Sequence, residues 1–323
     1  MKFVLAFILA IGLSAADAQP RKPILIAHRG ASGYLPEHTL AAYRLAIEQG
    51  ADFIEPDLVI TKDGVLVARH ENEIGGTTDV AQKFPERKRL GSIDGDTVTG
   101  WWTEDFTLAE LKTLRARERI PKLRPANTRF DGKFEIPTFE EVLDLARAQP
   151  RTVGVYPETK HPGYFASIGL PLEEPLVKAL QRYGLRSRDA PLYVQSFEAA
   201  SLKKIRGMIE VRLVQLLEDG VPYNLAEIAA YADAIGPSKN LVIPRRPDGS
   251  LGAPTNLVRD AHARGLAVHA WTFRAENSFL PKEFRIGAEP AGRGDLEGEL
   301  RRFLALGLDG FFTDQPDIGA RAR

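Results

Sequence analysis

Histidines, carboxylates and cations recur in this chain where apolar runs end. The run PILIA gives way to His28, Arg29 and Gly30. FIEPDLVIT carries Glu55 and Asp57, GVLVARH closes on His70, and TVGVYPETK ends in Glu158 with Lys160 two residues on. Side chains of a strand alternate with a period of two, so Glu55 and Asp57 face the same side. Three carboxylates brought together repel one another and hold protons unless a cation compensates them. An all-oxygen donor set suits one hard divalent ion, Ca²⁺ in the first place and Mg²⁺ in the second. Imidazoles titrate near neutral pH, which fits His28 and His70 for general acid and base roles. Arg29 and Lys160 can neutralise a phosphate, the arginine through paired hydrogen bonds. Gln195, at the end of LYVQSF, and Trp271, late in AVHAWTF, are expected to touch substrate, the indole as a wall against its carbon atoms. The chemistry described is metal-assisted cleavage of a phosphate ester.

These residues meet only if the runs that carry them are neighbouring strands ending on one face. Runs rich in β-branched and apolar residues fall at 23–28, 53–60, 152–158, 191–196, 211–216, within 233–243, at 266–272 and at 309–313. Between them lie segments with apolar residues three and four apart, such as TLAAYRLAIEQG, TFEEVLDLARAQ and LEGELRRFLALG, several of them ending in glycine as a left-handed cap prefers. Eight strands alternating with helices predict an α/β fold, a (β/α)8 TIM barrel, although spacing alone leaves a doubly wound open sheet available. Active sites of such barrels gather at the C-terminal strand ends, where the residues above fall. GVLVARH is expected to form a hairpin after Lys62-Asp63-Gly64. From about 72 to 135 the chain is polar and turn-rich, without a clear strand and with an exposed-looking Trp101-Trp102 pair. It reads as an insertion after the second strand, on the same end as the site. Of the other histidines, His38 is read as helping to start a helix, His262 as facing solvent, and His269 as packing inside the barrel below Trp271. His161 has no comparable support, and Asp314 is read equally as a turn residue or a pocket residue.

The chain has 323 residues, with 43 basic and 43 acidic side chains. Without net charge there is no field to hold nucleic acid or an anionic membrane. The opening MKFVLAFILAIGLSAADA has one lysine, an apolar stretch of about ten residues and a small-residue end, the pattern of a secretory signal cleaved after Ala18. That stretch is too short to span a bilayer, which takes about 20 helical residues. With no cysteine there is neither a lipid-attachment residue nor a disulfide framework. Residues 19–323 are expected to form one soluble barrel domain, periplasmic or secreted, with no stable membrane anchor.

Taken together, HRGASGYLPEHT, the E-x-D of IEPD, the final histidine of VLVARH, YPETK and the closing GFFTDQP resemble the glycerophosphodiester phosphodiesterase family in its periplasmic form. TTDVAQKFPER, in the long polar segment, resembles that form too. The resemblance implies a (β/α)8 barrel that cleaves small glycerophosphodiesters, deacylated phospholipid headgroups, to glycerol 3-phosphate and an alcohol. Position by position, it makes His28 and His70 the acid and base pair, Glu55, Asp57 and Glu158 the metal ligands, and Arg29 and Lys160 phosphate contacts. One departure is Glu71, which stands where the family commonly has aspartate. Two rival readings are a phospholipase on intact lipids and a non-catalytic surface binding protein. The first lacks a contiguous apolar face in the insertion, and the intact histidine and carboxylate set weighs against the second.

Overall fold

The structure, a computed structural model, describes residues 22–93 and 95–323, so the segment read as a secretory signal lies outside the described residues. Eight strands alternate with helices: β1 (Ile24–His28), β2 (Phe53–Glu55 and Asp57–Ile60), β3 (Gly154–Val155 and Glu158–Thr159), β4 (Tyr193–Ser196), β5 (Arg212–Leu217), β6 (Ala234–Pro237), β7 (Ala267–Phe273) and β8 (Gly310–Thr313). Every neighbouring pair is parallel, and β8 returns to pair with β1, so the ring closes as a barrel. The open-sheet alternative is thereby removed.

A parallel barrel buries both faces of its strands, which is why the runs are continuously apolar. Ile26, Phe53, Tyr156, Val214, Ala234 and Phe312, contributed by six strands or their continuations, form a separate buried cluster that fills the interior. Little space is spare there: a Cβ on Gly154 would lie 2.1 Å from the Phe53 ring. His269 is buried and its Nδ1 is 2.7 Å from the Tyr156 hydroxyl, so it packs inside the barrel as expected. The larger cluster lies between the sheet and the helices, which contribute stripes such as Phe139, Val142, Leu143 and Ala146.

Two prolines shape the end of the barrel that matters. Pro56 and Pro157 have no N–H to give, and the ladders of β2 and β3 break beside them. Their carbonyls still accept, from the Glu158 N–H at 3.0 Å and the Gln195 N–H at 2.9 Å, so the neighbouring strands stay tied where the acidic residues emerge.

After β2 the chain turns at Gly64 (φ 81°) and returns as Leu66–Ala68, antiparallel to β2, which delivers His70 to the same end. The segment that follows, up to the helix Phe139–Arg147, corrects two expectations. It does contain strands, an antiparallel ribbon of Arg89–Ile93 and Asp96–Gly100, stabilised by cross-strand pairing. RLGSI and DTVTG lack an apolar alternation that would mark them. Trp102 is fully buried rather than exposed: it packs against Gly91 of the ribbon and donates its indole N–H to the Arg89 carbonyl at 3.2 Å. Trp101 is half-buried and donates to the Phe84 carbonyl at 2.7 Å.

Candidate active site

Glu55 and Asp57 of β2 and Glu158 of β3 each bring a carboxylate oxygen to one point, with all three atoms within 4.8 Å of one another, and all three residues are buried. Burial works against ionising Asp57, but Arg29 and His38 hold it well below the usual carboxylate range. The opposite holds for its neighbours. Burial and the Asp57 charge push Glu55 well up, and burial raises Glu158 to about 8 despite the ammonium of Lys160 3.0 Å away. Local positive charge therefore falls short of what three carboxylates need. Gln195 donates its amide N–H to Glu55 at 3.1 Å, while its buried Oε1 has no hydrogen-bond partner. Three carboxylate oxygens at one point fit a hard divalent cation, and the buried amide oxygen of the neighbouring Gln195 is left without a partner.

Around this cluster stand the two predicted histidines. His28, at the end of β1, places Nδ1 2.7 Å from Asp314 Oδ1 at the end of β8. Burial opposes ionisation of Asp314, yet Arg274, Arg124 and His28 hold it well below the usual range. An ionised Asp314 can only accept, so Nδ1 of His28 carries the proton and Nε2 is left for a ligand. Burial, assisted by the Arg29 charge, lowers the His28 imidazole to about 4, so it is neutral near pH 7. His70 has Glu71 Oε1 2.5 Å from its Nδ1, a close contact that is not a hydrogen bond. Its Nε2 accepts from Lys160 Nζ at 3.2 Å, which requires a neutral ring. Burial, Arg29 and Lys160 all lower its affinity for a proton. The longer Glu71 thus does reach His70, and its other oxygen meets His161 Nε2 at 2.8 Å.

Arg29 owes its position to a left-handed backbone (φ 59°), followed by Gly30 at φ 84°. The conformation is costly for a side-chain-bearing residue. It is held because the Arg29 N–H donates to Glu55 Oε2 at 2.8 Å while the guanidinium lies against Glu37 (3.1 Å) and Asp57 (3.1 Å). The substitution of a Cβ at Gly30 would meet Ala42 backbone at 2.7 Å, so this turn admits little else.

His28, Arg29, Glu55, His70, Glu158, Lys160, Gln195 and Trp271 line one cavity of about 600 Å³, and Asp57 lies directly behind them. Trp271 is fixed by an N–H bond to the Gly236 carbonyl at 2.7 Å and meets Phe197 edge to face at 5.8 Å, giving the cavity an aromatic wall. All nine expected site residues therefore come together.

Several residues in the supporting layer were missed or misread. His38 does more than precede a helix: it is fully buried, with Nε2 2.9 Å from Asp57 and Nδ1 2.7 Å from the Tyr43 hydroxyl, and Thr39 caps the helix instead. Asp314 is resolved as a pocket residue's partner through His28. His262 is on the surface, paired with Asp309 at 2.8 Å. Glu37, Arg119, Arg124, Arg274 and Glu276 went unmarked, although the cationic run RARERIPKLR signalled that part of the insertion needs anions to face.

Residues 28–318 match the model of the glycerophosphoryl diester phosphodiesterase family. The chain belongs to that family. A glycerophosphodiester phosphodiesterase of Arabidopsis thaliana is 40% identical over 92% of this chain and 84% of its own length. One from Haemophilus influenzae is 33% identical over 92% of this chain and 88% of its own. Among solved structures, an Oleispira antarctica phosphodiesterase in complex with the product sn-glycerol-3-phosphate superposes with a TM-score of 0.66 at 22% identity, covering 93% of this chain and 96% of that one. A glycerophosphodiester phosphodiesterase from Agrobacterium tumefaciens gives 0.59 at 21%, covering 93% and 100%. At these identities the structures speak to the barrel, and the family rests on the sequence matches. The family's span begins at His28 and runs past Asp314, so it includes both ends of the His28–Asp314 pair.

Proposed function

We propose that the protein hydrolyses small glycerophosphodiesters to glycerol 3-phosphate and an alcohol, using one divalent cation and two histidines. The observation that carries this reading is a three-carboxylate cluster with two neutral imidazoles, each with a carboxylate close to Nδ1, in one cavity. The H. influenzae and A. thaliana relatives carry the name of this activity, and the O. antarctica structure holds a product of it. Glu55, Asp57 and Glu158 would hold the cation, Ca²⁺ in the first place and Mg²⁺ in the second. Such an ion supplies charge neutralisation and polarisation of the phosphoryl oxygens.

The chain's own residues do the rest. Lys160 and Arg29 place positive charge at the cavity wall for the phosphate, and Trp271 with Phe197 offers an aromatic surface to the glycerol carbons. Proton movement falls to His28 and His70, whose Nε2 atoms are the nitrogens turned away from their carboxylate partners. The route that uses both starts with the substrate's own hydroxyl beside the ester carbon. One imidazole takes its proton at Nε2, its oxygen bonds to phosphorus, and the alcohol leaves with a proton from Nε2 of the other imidazole. That imidazole must first be protonated there, as the Lys160 ammonium 3.2 Å from His70 Nε2 can do. Water then opens the resulting cyclic phosphate as the imidazoles exchange roles. A tethered nucleophile reaches effective molarities of about 10⁵ M and above. A deoxy analogue lacking that hydroxyl is therefore expected to bind but turn over poorly, and phosphorus NMR should detect cyclic phosphate with the parent substrate. Equal kcat values without any cyclic species would retire this route in favour of direct attack by water.

Export follows from the opening segment rather than from the barrel. We place the protein in the periplasm or outside the cell, beginning at Gln19. Among the described residues no helix is long and apolar enough to cross a membrane. Mass analysis of extracytoplasmic material should give Gln19 as first residue, and membrane-bound protein retaining Met1 would contradict the assignment.

A further inference from the structure

The insertion reaches the catalytic end of the barrel through a buried arginine. Arg124 lies in the segment between the ribbon and the Phe139–Arg147 helix, and only 7% of it is exposed. Its Nη2 donates to Asp314 Oδ2 at 2.5 Å, its Nε to Glu276 Oε1 at 2.6 Å, and its Nη1 to the Ser32 carbonyl at 2.9 Å. These partners belong to three different loops, after β8, β7 and β1. Asn127, also from the insertion, adds a longer contact to the Ser32 carbonyl at 3.4 Å.

Asp314 is thereby divided between two duties. Its Oδ2 takes Arg124 and the Nε of Arg274, at 2.9 Å, which leaves Oδ1 facing His28 Nδ1. We infer that Arg124 is a positioning residue for the reaction: by fixing the rotation of Asp314 and the path of the β1 loop, the insertion sets the direction of the His28 imidazole. A planar guanidinium can serve Asp314, Glu276 and Ser32 at once, because its donors lie in a rigid fork. If Arg124 is removed, Arg274 still neutralises Asp314, so the carboxylate stays charged and loses a restraint on its orientation.

A parallel link in the same segment explains why the sequence there is so basic. Arg119 binds Glu37 Oε1 through Nε at 2.8 Å and Nη2 at 2.7 Å, and Glu37 in turn contacts Arg29. His28 and Arg29 of the HRG turn are thus each braced, through one carboxylate, by an arginine of the insertion. The insertion acts here as a buttress to the proton-transfer end of the site.

The inference rests on His28 being one of the two proton-transfer groups, so the test separates the two claims. The proton on Nδ1 of His28, bonded to Asp314, should give a low-field proton resonance, assigned by its loss in His28→Asn. In Arg124→Met this resonance is expected to shift or broaden away, with cation affinity unchanged. With glycerophosphocholine as substrate, kcat should fall by about 10² with little change in KM, the scale of loss from misplacing a catalytic group. In an Asp314→Asn background the same substitution should cost little more, because its route to His28 is already cut. Glu276→Gln, which weakens the anchor of Arg124 and leaves its bond to Asp314, should move the resonance and kcat in the same direction by less, and serves if Arg124→Met does not fold. An unchanged resonance in these variants overturns the inference, and so do losses that multiply with Asp314→Asn. Full activity in His28→Ala would count instead against the role given to His28.

Discussion

Replacing His28 or His70 with alanine is expected to lower kcat by roughly 10² to 10⁴ while leaving the fold and cation binding largely intact. The size follows from general acid and base catalysis. The preservation follows from position: both side chains line the cavity at strand ends, and neither belongs to the cluster that fills the barrel. Each imidazole has its own carboxylate close to Nδ1, Asp314 for His28 and Glu71 for His70. If they serve as base and acid of one relay, the second substitution removes little that the first has not already removed. The double variant should therefore be close to the worse single one. Steady-state kinetics on the three variants, with melting curves to show that they fold, decides the matter. Multiplicative losses would mean that the two residues act independently.

Removing the divalent cation should abolish turnover, and adding Ca²⁺ back should restore it. Without a cation, the cluster keeps protons: Glu158 is raised to about 8 and Glu55 is also pushed well up. Below about pH 8 a cation must displace a proton held by Glu158. Binding should therefore release protons and tighten as pH rises toward 8. Titration calorimetry in buffers of different ionisation enthalpy measures that release directly. Glu158→Gln removes one ligand charge and should weaken binding and lower the number of protons released, leaving the share that comes from Glu55. Unchanged activity in exhaustive chelator would sink the assignment of the cluster, and so would cation binding with no proton release.

Much of the site was legible because its residues terminate strands. A run such as PILIAH or VGVYPE states both its conformation and its end, and the barrel then brings the ends together. Glu55 and Asp57 were readable from a spacing of two, and Pro56 does not disturb them because its carbonyl keeps the strand pairing. The supporting layer was not legible for a different reason. Arg124 meets Asp314 across 190 residues and Arg119 meets Glu37 across 82, and no local pattern records such partners. His38 was hidden by its own neighbour: Thr39 is the helix cap, and the histidine beside it has turned inward to Asp57. The ribbon escaped because Arg89, Gly91 and Ile93, which share the more covered face of its first strand, are not an apolar alternation, and Trp102 is covered by that ribbon rather than by the barrel.

The most direct test of the account is an assay of purified protein with glycerophosphocholine and glycerophosphoethanolamine, with and without chelator, followed by the appearance of glycerol 3-phosphate. The account predicts glycerol 3-phosphate from both substrates, its loss in chelator and its return with Ca²⁺. Failure to form glycerol 3-phosphate from either substrate in the cation-loaded protein, with the fold intact, would contradict it.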